Sequence, residues 1–252
     1  MKITMTVEGL DKGLLQLQGF SARRLNAAMA TALTRTAAAI GGEWTGQMKE
    51  RFDRPTPLTE RAVRIGGARA DSLEAVVQVK DLISGSRGAP PSEYLAPQEH
   101  GGGRGLKRYE IALQRQGAML SGQRIVPAAY AKLDAYGNVS RGQLVQVLNQ
   151  LGTQLSPGYQ RVISKSAEKR LAAAKRTGRE YVAVVVGKGR VKPGIYQRSP
   201  DGLKPVFWFV SSVQYRKRLS LMDTAAKSAP ALLRSNVDLA IAEHMLRISA
   251  KS

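Results

Sequence analysis

The sequence contains no cysteine, so disulfides, thiolate metal sites and cysteine nucleophiles are all excluded. Histidine occurs only at His100 and His244, and neither is accompanied by the nucleophile that an acid–base triad requires. Acidic residues are scarce and scattered, so we find no carboxylate cluster of the kind that a metal-dependent nuclease uses. The sequence therefore predicts a protein that is not an enzyme and that needs neither a cofactor nor a catalytic metal.

Long apolar runs are also lacking. Residues 1–8 do not contain the apolar core of a secretory signal, and no stretch approaches the ~20 apolar residues of a membrane span. We therefore expect a soluble, unsecreted protein without a membrane anchor. A chain of 252 residues is long enough to bury a real core, and we expect one domain over residues 1–252 with an inserted loop and helical region at about 84–178.

Positive charge is abundant. Lys and Arg number 39 against 19 Asp and Glu, a formal net charge of +20, which predicts a polyanionic neighbour. Residues 161–218 alone carry 15 basic and 3 acidic side chains. Direct contact with DNA and docking on an acidic protein both remain open. The candidate contacts are Arg198, Lys204, Arg216, Lys217 and Arg218.

The aromatic run Phe207-Trp208-Phe209 precedes the densest basic stretch, and aromatic rings beside cations can stack on bases. Val206 and Val210 continue the alternation of this run, however, which favours a strand covered on both faces. The aromatic residues are therefore predicted to be core.

The periodicity of apolar residues predicts an α+β fold in which two long helices bracket a mostly antiparallel sheet. The first helix is predicted to begin after an N-cap at Ser21 and to end before Phe52, and the last to begin after an N-cap at Asp223. Strands are predicted at 2–8, 62–65, 73–80, 181–186, 194–198 and 205–211. Two shorter helices are predicted, one at 164–177 and one after a capping box formed by Ser140 and Gln143.

Residues 84–105 are rich in Gly, Pro and Ser and predict a long irregular loop. A loop of this length in a compact protein is usually functional or ordered by a partner. We therefore expect it to contact neighbouring subunits through Tyr94, Leu95, Pro97, Gln98 and His100. The Gly187-Lys188-Gly189 stretch is predicted to lie in a hairpin connection, because no helix follows it to receive a phosphate.

Six segments together resemble the tail-completion and minor tail proteins of tailed bacteriophages, the Z-type family and its relatives. They are residues 52–57 (Phe-Asp-Arg-Pro-Thr-Pro), 94–102 (Tyr-Leu-Ala-Pro-Gln-Glu-His-Gly-Gly), 133–138 (Leu-Asp-Ala-Tyr-Gly-Asn) with 140–143 (Ser-Arg-Gly-Gln), 194–198 (Gly-Ile-Tyr-Gln-Arg), 204–210 (Lys-Pro-Val-Phe-Trp-Phe-Val) and 215–218 (Tyr-Arg-Lys-Arg). The resemblance spans most of the chain and carries no catalytic signature.

The resemblance implies a structural virion protein that forms a ring at the head–tail junction or upper tail and is assembled in the bacterial host cytoplasm. Its implied partners are other copies of itself, portal, connector, neck or tail proteins, and phage double-stranded DNA. A role in tail completion, head–tail joining and DNA retention or passage would follow. Two alternatives remain: a sequence-independent DNA-binding protein that acts outside the virion, and a metal-dependent phage nuclease.

Overall fold

The chain folds into two compact units in a computed structural model, which describes residues 1–6, 22–82, 89–152, 169, 172–174, 176, 180–187 and 189–249. Unit 1 comprises Met1–Gly102 and Arg216–Ser252, and unit 2 comprises Gly103–Tyr215. Unit 2 is thus inserted in the sequence of unit 1, with bounds that differ from the predicted 84–178. The single domain stays a prediction, since a compact unit is defined by its own contacts and not by independent folding.

Helices and strands are interspersed along the chain, and the last four strands follow one another before the final helix. In order they are β1 (Lys2–Thr6), α1 (Ala22–Arg51), α2 (Pro57–Glu60), β2 (Val63–Gly66), β3 (Glu74–Val79), α3 (Pro91–His100), β4 (Gly102–Gly103), α4 (Arg108–Arg115), β5 (Arg124–Pro127), α5 (Arg141–Gln150), β6 (Tyr181–Val184), β7 (Gly194–Ser199), β8 (Gly202–Val210), β9 (Gln214–Tyr215) and α6 (Leu221–Ser249). The predicted helix at 164–177 lies almost wholly outside the described residues.

Unit 1 contains an antiparallel sheet of three strands in the order β1-β3-β2. Alternate residues of β3, namely Ala75, Val77 and Val79, are buried, as the period-two pattern predicts. Leu33 and Trp44 of α1 are fully buried in the same core. The sheet is therefore covered on one face by the first long helix.

The two long helices pack against each other along much of their length. Arg35 of α1 pairs with Glu243 of α6 at 2.9 Å, and the Asn236 side chain donates to the Thr36 hydroxyl at 3.0 Å. Gly41 lets α1 approach β2 closely, because a Cβ there would lie 2.8 Å from Ile65 Cδ1. The predicted α+β fold with two long helices and antiparallel sheets is confirmed.

The ends of the long helices agree only in part with the prediction. Helix α1 ends at Arg51, just before Phe52, as expected, while the predicted cap Ser21 lies outside the described residues. Helix α6 begins at Leu221, so Asp223 lies in its first turn and the N-cap prediction is wrong there. The helix starts earlier because side chains from α1 and α3, distant in sequence, accept hydrogen bonds from the backbone at residues 220–222.

Helix α3 is the largest departure from the sequence prediction. The predicted irregular loop at 84–105 is wrong for Pro91–His100, which is helical. Pro91 occupies the first turn, where a missing N–H costs nothing, and Gly101, at φ 75°, follows the last residue. Leu95 is 1% exposed in the core of unit 1. This tertiary burial stabilises a helix whose Pro-rich composition predicts a loop.

Unit 2 contains an antiparallel sheet of four strands in the order β5-β8-β7-β6. The three predicted strands at 181–186, 194–198 and 205–211 are confirmed within one to three residues. Phe207 and Phe209 are buried, whereas Trp208 is only partly covered and meets Tyr196 edge-on, with ring centroids 5.8 Å apart. The aromatic run is therefore largely core, as the sequence pattern predicts.

No helix in the described ranges has both the length and the apolar character that crossing a bilayer requires.

Candidate interaction surfaces

The basic segment, residues 216–218, leads directly into α6 and exposes all three of its side chains. Its backbone is attached to α3, because the Gln98 carbonyl accepts hydrogen bonds from the N–H groups of Arg218 at 2.7 Å and Leu219 at 2.9 Å. Two groups that the sequence analysis treated separately, the basic segment and the residues around Gln98, therefore lie together in unit 1.

The residues that follow the basic segment are fixed by buried side chains. The Glu99 carboxylate, 2% exposed, accepts hydrogen bonds from the N–H groups of Leu221 at 2.9 Å and Met222 at 3.2 Å. Trp44 Nε1 donates to the Leu221 carbonyl at 2.8 Å, and the Gln47 amide oxygen accepts from the Ser220 N–H at 2.7 Å. The bonds to Glu99 and Gln47 satisfy free N–H donors at the helix start, and all four bonds together hold the preceding segment in one position.

Within the basic segment, Lys217 has a carboxylate partner. Lys217 Nζ lies 3.0 Å from Asp223 Oδ2, and the hydrogen bond and charge of Lys217 lower the pKa of the Asp223 carboxyl. Arg216 and Arg218 make no side-chain ion pair within the ranges that the structure describes. Two exposed guanidinium groups on a fixed backbone are suited to phosphates or carboxylates of a partner.

Arg198 and Lys204, the other predicted contacts, lie in unit 2 on β7 and β8. Arg198 Nε lies 3.4 Å from Glu180 Oε1, and Lys204 Nζ lies 3.5 Å from Asp201 Oδ2. The five predicted cationic contacts therefore do not form one surface within either unit. Arg198 and Lys204 also differ from Arg216 and Arg218 in having carboxylates beside them.

The predicted subunit-contact residues belong to α3 and not to a loop. The Leu95 side chain is buried, so it is not available to a neighbour. The Tyr94 hydroxyl lies 3.3 Å from Thr59 Oγ1, and burial raises the pKa of Tyr94. Pro97 and Gln98 are partly covered, and His100 is exposed at the end of the helix. The loop predicted for these residues is therefore wrong, because they form a helix of unit 1. Their contact with a neighbouring subunit stays a prediction.

The side-chain amide of Gln143 in unit 2 is buried, and its hydrogen-bond partners differ from the predicted ones. Gln143, 3% exposed, was predicted to complete a capping box with Ser140, and Ser140 is indeed the N-cap of α5 but makes no side-chain cap. The Gln143 oxygen instead accepts from the Lys132 N–H at 2.7 Å, and its nitrogen donates to the Tyr130 carbonyl at 3.3 Å. Gln143 therefore fixes residues 130–132 on α5.

Arg104 and Glu110 form an ion pair in unit 2 that the sequence does not predict. Glu110 is 0% exposed, and its two oxygens accept bidentate hydrogen bonds from Arg104 at 2.7 and 2.5 Å. The N–H groups of Ile125 and Lys107 each donate to the same carboxylate at 2.7 Å. Burial alone would raise the pKa of Glu110, but these hydrogen bonds and the Arg104 charge lower it. No pattern in the sequence pairs these residues, since their contact depends on β5.

The described ranges contain no place where three His, Cys, Asp or Glu side chains converge as metal ligands. His100 is exposed at the end of α3, and His244 lies on α6. Both carboxylate oxygens of Glu99, the neighbour of His100, accept hydrogen bonds from backbone N–H groups of α6.

Comparison with known proteins returns no matching family model, curated protein or solved structure. The resemblance to phage tail proteins therefore remains an expectation from the sequence.

Proposed function

We propose that this chain is a structural virion protein of a tailed bacteriophage that forms a ring at the head–tail junction or upper tail. The observation that carries the proposal is the anchored basic segment at residues 216–218. Its side chains are exposed, and its backbone is bound to Gln98 while the following turn is bound to Glu99. The segment is therefore a positively charged surface with a fixed backbone. The resemblance of the sequence to tail-completion proteins suggests which kind of partner this surface binds.

Fixed cations suit a ring protein because its neighbours are polyanions. Packaged DNA in the lumen and acidic proteins of adjacent rings both present closely spaced negative charges. Arg216 and Arg218 are held on a defined backbone, so little conformational entropy of the main chain is lost when they bind. The proposed role is tail completion and head–tail joining, with retention or passage of DNA through the ring.

The long helices suit the same role. Helices α1 and α6 contain 30 and 29 residues, and at 1.5 Å per residue each is about 45 Å long. They pack on each other through apolar contacts and through the Arg35–Glu243 pair. A packed helix pair of this length can hold binding surfaces apart at its two ends, as a component of a joint between head and tail requires.

The test is a stop codon in the gene, placed in the phage or prophage that encodes it. We expect filled heads and separate tails by electron microscopy, and restoration of joined particles when the protein is supplied in trans. Mass spectrometry of purified particles should detect the chain. Infectious particles that form normally without the protein would contradict the proposal and favour a DNA-binding protein acting outside the virion.

The nuclease alternative has a separate test. Purified protein is incubated with supercoiled plasmid with and without Mg²⁺ or Mn²⁺, and we expect no metal-dependent nicking. Cleavage that requires the metal and disappears with a chelator would replace the structural role with a catalytic one.

A further inference from the structure

The four-stranded sheet of unit 2 ends at two edge strands, β5 and β6. An edge strand presents backbone N–H and C=O groups on its free side, and these groups can pair with another chain unless something covers them. The two edges of this sheet differ in how their free groups are satisfied.

The β5 edge is closed. The antiparallel pairing of β5 with β8 turns the backbone groups of Ile125 and Pro127 toward the free side. The Ile125 N–H donates to Glu110 at 2.7 Å, and the Ile125 carbonyl accepts from the Arg104 guanidinium at 3.3 Å. Pro127 has no N–H to offer. A further strand therefore cannot pair with β5 without breaking these contacts.

The β6 edge is open by comparison. The Arg198 N–H donates to the Glu180 carbonyl at 2.7 Å, so the alternation of an antiparallel pair turns the backbone groups of Tyr181 and Ala183 away from β7. The Gln150 side chain accepts from the Tyr181 N–H at 2.7 Å. In the part of the chain that the structure describes, neither backbone group of Ala183 has a hydrogen-bond partner.

The side chains of β6 do not oppose pairing either. Charged side chains on an edge strand discourage the addition of another strand. The other edge strands of the two larger described sheets, β1, β2 and β5, each carry one, namely Lys2, Arg64 and Arg124. Residues 181–186 contain only Tyr, Val and Ala, and Val and Tyr favour strands. Strand β6 is therefore the uncharged edge.

The charge around β6 is positive. Residues 169–192 contain eight Lys and Arg against one carboxylate, Glu180, which lies 3.4 Å from Arg198. Arg190 and Lys192 are exposed, and a Cβ at Gly187 would lie 3.6 Å from Lys192 Cα, so Lys192 lies beside the chain that leaves β6. Unit 2 as a whole contains 19 Lys and Arg against 5 Asp and Glu, so the sign does not depend on where the surface is bounded.

We propose that the free edge of β6 binds an extended segment of another protein, with apolar residues at its centre and carboxylates at its ends. Its backbone pairs with Ala183 and the Tyr181 carbonyl and extends the sheet by one strand. Its carboxylates attract the cations that flank β6 in the sequence. A second copy of this chain is the poorer occupant, because its net charge of +20 adds repulsion at the same place. The inference goes beyond the proposed virion role and does not depend on it.

The test is fluorescence anisotropy with the nuclease-treated, full-length chain and a labelled peptide, in which alternating Val and Thr residues are flanked by glutamates. We expect binding that weakens between about 0.1 M and 0.5 M salt, because the screening length falls. The matched peptide with lysines in place of the glutamates should bind at least about tenfold more weakly. Hydrogen exchange of the Ala183 N–H should slow when the glutamate peptide is bound.

Modified peptides separate strand pairing from general attraction to a basic protein. A paired strand directs only alternate N–H groups toward its neighbour. Methylating the backbone nitrogen of every second residue in one frame should therefore abolish binding, whereas methylation in the other frame should leave most of it. Equal effects in the two frames contradict strand pairing.

The decisive variant of the chain is Ala183→Pro, which removes the N–H on the free side of β6. Proline is tolerated on an edge strand where the N–H faces away from the sheet, so we expect a melting temperature close to that of the wild type. Affinity for the glutamate peptide should fall about tenfold or more. The matched control is Thr4→Pro, which makes the same change on the free side of β1 and should retain binding. If Ala183→Pro does not fold, the methylated peptides decide.

Four results overturn the inference. They are absence of binding by the glutamate peptide, equal binding of the lysine peptide, equal affinity of Ala183→Pro and Thr4→Pro for the probe, and self-association of the wild-type chain that Ala183→Pro removes. The last result assigns the edge to a second copy. Failure of the virion role is seen separately, since a chain that is absent from particles but binds the glutamate peptide through β6 leaves this inference standing.

Discussion

The carboxylate of Glu99 caps a helix that begins 122 residues further along the chain, with Glu99 Oε2 2.9 Å from the Leu221 nitrogen. The other oxygen accepts from the Met222 N–H at 3.2 Å. A negative group at a helix N-terminus satisfies free donors and interacts favourably with the helix dipole. In this protein the cap also fixes the start of α6, where the exposed basic segment ends.

Replacing Glu99 with alanine should lower the free energy of unfolding by about 1–3 kcal/mol, because buried N–H groups lose their acceptor. Glu99→Gln keeps one acceptor oxygen and should cost less. Urea denaturation followed by circular dichroism measures both. Equal stability of the alanine variant and the wild type would show that the cap contributes nothing.

Leu33→Ala should lower the free energy of unfolding by about 2–5 kcal/mol, because Leu33 is fully buried between α1 and the sheet and its removal leaves a cavity. The control is Leu239→Ala on α6, where the leucine is 51% exposed and the expected change is within about 0.5 kcal/mol. Thermal or urea unfolding compares the two. A similar small effect in both variants contradicts the assigned core.

The substitution Glu110→Gln should change the pH dependence of the free energy of unfolding. The pKa of Glu110 is lowered in the folded state, so its contribution is fully present above the ordinary glutamate value, about 4.3, and is lost as the pH falls through the folded pKa. At neutral pH the variant should be less stable, because Arg104 keeps its charge in a partly buried site. The stability gap between wild type and variant should narrow below about pH 4.3 in urea titrations. A gap that stays constant from pH 7 to pH 3 excludes this role.

Replacing Arg216, Lys217 and Arg218 together with glutamine should leave the melting temperature unchanged, since all three are exposed and the lost Lys217–Asp223 pair is a surface pair of little energy. If the segment contacts DNA, the salt dependence of duplex binding should fall by about one unit of slope per lost phosphate contact. Fluorescence anisotropy with a short duplex measures this.

The control for that variant is Arg108, Arg115 and Arg190 replaced with glutamine, which removes the same charge from exposed positions in unit 2. Unchanged DNA binding together with loss of the variant from particles would instead assign the segment to an acidic virion partner. Normal DNA binding, normal incorporation and normal infectivity in the segment variant would exclude both roles.

The elements with a strong local pattern were predictable from the sequence. The period-two alternation of β3 places Ala75 and Val77 in the core, and the seven-residue spacing of Leu33 and Ile40, about two helical turns, sets the buried face of α1. Each pattern contains its own period, so it does not depend on which other segment supplies the covering surface. The α+β class follows from the order of such elements.

Tertiary structure decided the rest. Composition predicts a loop for residues 91–100, but burial of Leu95 and the use of Glu99 as a cap favour a helix that local propensity disfavours. The capping-box spacing drew attention to Gln143, yet its partners are the backbone groups of residues 130 and 132. Arg198 and Lys204 gain nearby carboxylates, whereas Arg216 and Arg218 remain exposed without ion pairs in the described ranges.

The amino-acid sequence by itself determined the charge, the main helices and strands and the core faces, because these depend on residue type and local period. Which polar side chains are buried, paired or left at the surface was decided only by contacts between distant segments, since a hydrogen bond or ion pair requires both partners to be brought within about 3–4 Å.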